Sequence, residues 1–122
     1  AIDIIINEKM IENVRHLEPI FMGGLKNFED LEFIGESRGI GLMGALEMVQ
    51  DKKNKLPFDG SISIGERVAN KCIENGLICR PLGPSIVLCP PFITSEEEMG
   101  IIFDTLEKTL KEVFSEVKSL GQ

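Results

Sequence analysis

The hydrophobic period of this chain switches between helical and extended spacing along its length, and that switching constrains the fold more than any other feature of the sequence. Near the start, apolar residues recur at Ile6, Met10, Val14, Leu17, Phe21 and Leu25, in steps of 4, 4, 3, 4 and 4. That spacing lays one stripe along a helix. In the middle the step shortens to two. Leu31 and Phe33 alternate with Glu32, and Leu42, Gly44, Leu46 and Met48 alternate with Met43, Ala45, Glu47 and Val49, as in strands with one buried face. Helical spacing returns at the far end, through Met99, Ile102, Phe103, Leu106, Leu110, Val113, Phe114 and Val117. Helical ends around an extended middle predict an α+β fold: a small antiparallel or mixed sheet of three to four short strands, with helices packed on one face.

Breakers and caps divide these stretches further. Pro19 lacks a backbone donor and clashes with the preceding turn of a helix, so a break is expected between Leu17 and Pro19, with Gly23 and Gly24 weakening the second piece. A Gly-Glu-Ser-Arg-Gly segment at residues 35–39 interrupts the strand pattern. The run from Gln50 to Gly60 has no period and several breakers, and reads as a surface loop. Ser63 with Glu66 fits a capping box, Ile64, Val68 and Cys72 form a short stripe, and Gly76 supplies a left-handed stop. Leu77–Arg80 and Ile86–Cys89 then read as a hairpin joined by Pro81-Leu82-Gly83-Pro84-Ser85 and ended by Pro90 and Pro91. Thr94 with Glu97, or Ser95 with Glu98, caps the last helix, whose charges suit the helix dipole: Glu96, Glu97 and Glu98 at its start, Lys108, Lys111 and Lys118 further along.

Charge and composition exclude several partners. With 13 basic against 20 acidic residues the formal charge is −7, and the basic residues are scattered apart from Lys52, Lys53 and Lys55. No cationic face is available to neutralise a phosphate backbone, so nucleic acid is not an expected partner. A hydrophobic fraction of 43% places the chain among globular proteins rather than disordered ones. No apolar run reaches the length of about 18 residues needed to cross a bilayer, and no signal-peptide pattern opens the chain. The expectation is a cytoplasmic protein that does not engage a membrane. Cys72, Cys79 and Cys89 stand at spacings of 7 and 10; these match neither a disulfide framework nor a metal clip, so reduced, structural thiols are expected.

Few side chains suggest chemistry. Residues 39–44 read Gly-Ile-Gly-Leu-Met-Gly, a literal dinucleotide fingerprint, but the fingerprint should close a strand and open a helix. Here a strand pattern comes next, so the glycines are read as admitting a neighbouring chain or ligand close to a strand. His16 is the only histidine; without a partnered nucleophile or ligand set it reads as a surface or boundary helix residue. Arg80 closes the apolar run Leu77-Ile78-Cys79 and precedes the Pro/Gly-rich connection, where a guanidinium is suited to gripping a carboxylate. Read from the residues alone, it caps a carbonyl or pairs with a surface acid, and Arg38 is read the same way.

Taken together, Arg38-Gly39-Ile40-Gly41-Leu42 with Glu47, then Asn75-Gly76-Leu77-Ile78-Cys79-Arg80-Pro81-Leu82-Gly83, and Ile86-Val87-Leu88-Cys89-Pro90-Pro91-Phe92-Ile93-Thr94 resemble the C-terminal part of class III aminotransferases. These are fold-type I enzymes that use pyridoxal phosphate. The resemblance covers nearly the whole chain and implies a single C-terminal domain over residues 1–122, with the cofactor domain upstream. In the branch containing omega-amino acid:pyruvate and diaminopelargonate aminotransferases, the arginine of the R-P-x-G pattern binds a substrate carboxylate, and Arg80 stands on its position. In the ornithine and acetylornithine branch the carboxylate-binding arginine lies on the next strand, where this chain has Val87. The resemblance therefore implies the first branch and assigns Arg80 to substrate binding.

The same resemblance implies transfer of an amino group between an amine or amino acid and a keto acid, in a cytoplasmic homodimer. The chemistry needs a lysine that joins pyridoxal phosphate as a Schiff base, with an environment that depresses its pKa. Lys9, Lys26, Lys71, Lys108, Lys111 and Lys118 lie on or beside helical stretches and Lys52, Lys53 and Lys55 in the loop, so no cofactor-binding, catalytic or metal-ligating residue is expected in this chain. By itself it is expected to be inactive, its partners being its own large domain and a second subunit. Two alternatives stand beside this reading: a free-standing, non-catalytic α+β module that binds a small acid or a protein, and a piece of a related aminomutase or decarboxylase on the same scaffold.

Overall fold

The computed structural model describes residues 2–90 and 94–120, with side chains from residue 11 onward. Helix α1 spans Ile2–Asn27, strand β1 Ile34–Ile40, strand β2 Met43–Met48, helix α2 Ile64–Glu74, strand β3 Arg80–Leu82, strand β4 Ser85–Leu88 and helix α3 Glu96–Leu120. Short 3-10 turns occupy Phe28–Asp30 and Gly60–Ile62. The four strands form one antiparallel sheet in the order β1-β2-β4-β3. This is the expected α+β architecture.

Why one face of the sheet is covered is explained by the strand alternation. Leu46, Met48, Ile86 and Leu88 point to the same side and are buried, against Leu17 and Phe21 of α1, Val68 and Cys72 of α2 and Leu106 and Leu110 of α3 in a single core. Each fully buried side chain of this size contributes about 1.5–3 kcal/mol of transfer free energy, and packing rather than helix propensity therefore decides where the helices run. Gly44 lies on this inner face, where an added Cβ would sit 2.3 Å from Leu25 Cδ1 and 3.0 Å from the Phe21 ring. The neighbour that these glycines admit to the strand is thus α1 itself, and Gly41, at φ +58°, makes the β1–β2 turn.

Helix α1 does not break at Pro19. It continues to Asn27, and Gly23 and Gly24 lie inside it. Pro19 and Arg15, whose carbonyl loses its partner, are both exposed, so water can take up the freed acceptor, while buried Leu17 and Phe21 hold the helix on either side. Packing overrides the local cost. The Gly-Glu-Ser-Arg-Gly segment is likewise no interruption but the body of β1. As an edge strand it buries little beyond Ile34, so its residues carry no apolar alternation, and its register shifts between Ile34 and Glu36.

The Ser63–Glu66 capping box is absent. Ser63 takes a left-handed conformation with φ 50° and ψ 54°, and its hydroxyl turns back to the Gly60 carbonyl at 3.4 Å because the 3-10 turn runs straight into α2. The other expected box forms: Ser95 N–H donates to Glu98 Oε1 at 3.1 Å, and Glu98 N–H donates to Ser95 Oγ at 3.1 Å. Gly76, at φ +87°, ends α2 as expected. The Pro/Gly-rich hairpin forms with a shifted boundary. Arg80 opens β3 instead of closing a strand at 77–80, and the connection shrinks to Gly83 and Pro84. Pro81 fits inside β3 because an edge strand has a free side for the missing donor.

Candidate functional site

The uncovered face of the sheet carries the charged residues singled out from the sequence. Register places Arg38 opposite Ala45, Ala45 opposite Val87, and Val87 opposite Arg80, so one row of four side chains crosses the sheet with an arginine at each edge. Ile40, Met43, Ala45 and Val87 line an open apolar depression of about 340 Å³ beside Arg38. Ile40 and Leu82 on this face are 79% and 67% exposed.

The two arginines differ in their commitments. Arg38 is drawn to acids, with Nε 3.8 Å from Glu36 Oε2 and Nη2 3.8 Å from Glu47 Oε2. Glu36 and Glu47 are themselves cross-strand partners, so Arg38 screens two like charges from each other. Arg80 is exposed, and among the described residues no carboxylate pairs with it and no carbonyl accepts from it. The role read from residues alone therefore holds for Arg38 and not for Arg80. Val87 is the direct cross-strand neighbour of Arg80, so a guanidinium carried at either position reaches the same part of the face.

The remaining candidates have structural roles. His16 is exposed and bonds Glu96 in the first turn of α3. Cys72 and Cys79 are free and buried, Cys89 free and exposed. A hydrogen bond with Cys79 and then burial push the Cys72 thiol far up, whereas the same bond lowers that of Cys79. This thiol contact, joining α2 to the residue before Arg80, left no signal in the cysteine spacing. Pro91, Phe92 and Ile93 of the Pro-Pro motif lie outside the described residues.

Among the lysines with described side chains, Lys71 is half-buried and engaged by carboxylates. Lys71 Nζ lies 3.4 Å from Glu74, 3.5 Å from Glu112 and 3.8 Å from Glu116, and these carboxylates, Glu74 foremost, raise its pKa. A nucleophilic lysine needs the opposite shift. The other lysines with described side chains are exposed. Among the described residues there is likewise no cluster that could hold a metal, and no helix is long and apolar enough to cross a membrane.

Solved structures share this fold. An omega-transferase from Vibrio fluvialis superposes with a TM-score of 0.92 at 56% identity, over 97% of this chain and 28% of that one. The open four-stranded sheet with three helices is thus an aminotransferase domain of fold-type I. The class-III aminotransferase family model matches residues 1–110, and the chain belongs to that family. An uncharacterized aminotransferase of Sinorhizobium fredii is 38% identical over the whole of this chain and 27% of its own length. The adenosylmethionine-8-amino-7-oxononanoate aminotransferase of Methanocaldococcus jannaschii is 36% identical over 92% of this chain and 24% of its own. These matches bear out the omega-transaminase and diaminopelargonate branch. The chain spans about a quarter of the length of the curated relatives it matches.

Proposed function

We propose that residues 1–122 are the C-terminal domain of a pyridoxal-phosphate-dependent aminotransferase that moves an amino group between an amine or amino acid and a keto acid, and that Arg80 recognises the substrate carboxylate. The observation that carries the assignment is the state of Arg80: exposed, free of internal acids, and at the end of an apolar row on the uncovered face. A bidentate guanidinium–carboxylate pair needs such a fork, and the apolar depression that starts at its cross-strand neighbour Val87 and runs toward Arg38 suits the carbon skeleton of a substrate. Pyridoxal phosphate, when bound to the large domain, supplies the electron sink for the amino-group exchange; this domain supplies recognition.

Exposed Ile40, Met43 and Leu82 on one sheet face favour a domain that docks against the rest of an enzyme over a free-standing module with a polar exterior. The untied thiols Cys72 and Cys79 support a cytoplasmic setting, and the enzyme is proposed to work there as a homodimer. In isolation the domain is proposed to be inactive. The test is to record the absorbance of the full-length protein with pyridoxal phosphate before and after borohydride reduction. A cofactor band that reduction fixes to a lysine outside residues 1–122 supports the assignment. A full-length protein that binds no cofactor overturns it.

A further inference from the structure

Strand β3 is too slight to aim Arg80 unaided. It has three residues, sits at the sheet edge and has Pro81, without a donor, at its centre. Helix α2 meets this segment at both ends. At the β3–β4 turn, an added Cβ on Gly65 would lie 2.3 Å from the Gly83 carbonyl oxygen and 3.0 Å from that of Ser85, so the helix backbone rests on the turn itself. Behind Arg80, the Cys72 thiol meets that of Cys79, and the Cys72 carbonyl accepts from Leu77 N–H at 2.7 Å. Gly65 is the second residue of α2, in its first turn, and carries no side chain. At Gly65 the gain is close approach.

Helix α2 is itself fixed to the long helix α3. Lys71 bridges to Glu112 and Glu116 of α3 at 3.5 and 3.8 Å, and Asn75 Nδ2 donates to Thr109 Oγ1 at 2.9 Å. The Pro84 carbonyl, in the β3–β4 turn, accepts from Met48 N–H at 2.9 Å and ties the turn to β2. The turn is thus held between α2 and the sheet, with no slack for an additional methyl group.

We propose that α2 is the positioning element for Arg80, acting through Gly65 against the turn and through Cys72 behind Cys79. Neither residue touches substrate; each acts through the placement of β3. The inference rests on the reading of Arg80 as the carboxylate-binding residue, and the experiment separates the two. In the full-length holoenzyme, Gly65→Ala and Arg80→Ala are compared in single-turnover reactions with L-alanine, which carries a carboxylate, and isopropylamine, which does not. A methyl group at Gly65 displaces the turn by about 1 Å, and misplacement on that scale costs up to about 100-fold. Gly65→Ala is expected to raise the half-saturating concentration of L-alanine about 10- to 100-fold while isopropylamine kinetics stay within about twofold. Equal losses for both amines in Gly65→Ala, with Arg80→Ala selective for L-alanine, overturn the positioning role. An Arg80→Ala variant that does not discriminate overturns the underlying reading instead. Should Gly65→Ala yield no folded holoenzyme, Cys79→Ala reads the same split from the other end of β3, and equal losses there overturn the proposal.

Discussion

Two adjacent glycines in α1 should respond differently to the same substitution. Gly23 is exposed, and an added Cβ meets nothing within 4 Å; at Gly24 it would lie 2.3, 2.5 and 2.8 Å from three atoms of the Phe103 ring. That ring cannot easily withdraw, because it packs on Phe21 and Phe28 with centroids 5.9 Å away in each case. Alanine in place of a helical glycine gains up to about 1 kcal/mol at both sites. Overpacking a buried contact costs about 1–3 kcal/mol. Gly23→Ala should therefore stabilise by up to about 1 kcal/mol, and Gly24→Ala should be neutral to destabilising by about 2 kcal/mol. Since the propensity gain is common to both, the difference of about 1–3 kcal/mol isolates the steric contribution. Urea unfolding of this chain, monitored by far-ultraviolet circular dichroism, reads it as a separation of midpoints of about 0.5–2 M. Equal stabilisation by both substitutions would refute the claim that α1 and α3 touch through Gly24.

Thiol chemistry and acid titration supply further checks. At pH 8 a thiol reagent should label exposed Cys89 first and buried Cys72 only on unfolding, since the bond to Cys79 and burial keep the Cys72 thiol protonated; equal labelling rates by mass spectrometry would contradict this. The Ser37 hydroxyl, and to a lesser degree its backbone N–H, lowers the pKa of Glu29 from 4.5. A depressed folded-state pKa gives stability that is present above the unfolded value and lost as pH falls through the folded one. Wild type should therefore exceed Ser37→Ala in Tm at pH 7, with the gap closing as pH falls below about 4.5. A gap independent of pH would mean that the hydrogen bond to the ionised carboxylate is not its source.

One physical division separates the features legible in the sequence from those that were hidden. Periodicity located the buried stripes of α1, α2 and α3 and the inner face of β2, because burial imposes spacing. It missed β1, an edge strand that buries almost nothing, and placed a break at Pro19 because the local cost of proline is visible in a sequence while the packing of Leu17 and Phe21 that outweighs it is not. The capping box at Ser63 failed for a related reason: the pattern was present, but the preceding 3-10 turn set the backbone first. The start of the last helix obeys the same motif, with both reciprocal bonds between Ser95 and Glu98 formed. At the site, the resemblance singled out Arg80, but only the register shows that Val87 and Arg80 are neighbours on one row. Gly65 gave no sign, since a close approach of two backbones leaves no pattern beyond a single glycine.

The central claim, that Arg80 grips the substrate carboxylate, is tested most directly by moving the guanidinium across the sheet. In the full-length enzyme, Arg80→Ala should weaken carboxylate-bearing substrates about 10- to 100-fold, the worth of one charge-assisted pair, and leave neutral amines nearly unchanged. Because Val87 faces Arg80 across β3 and β4, adding Val87→Arg to that variant should restore part of the lost discrimination. Equal losses for carboxylate and neutral substrates in Arg80→Ala, with no recovery in the double variant, would contradict the account.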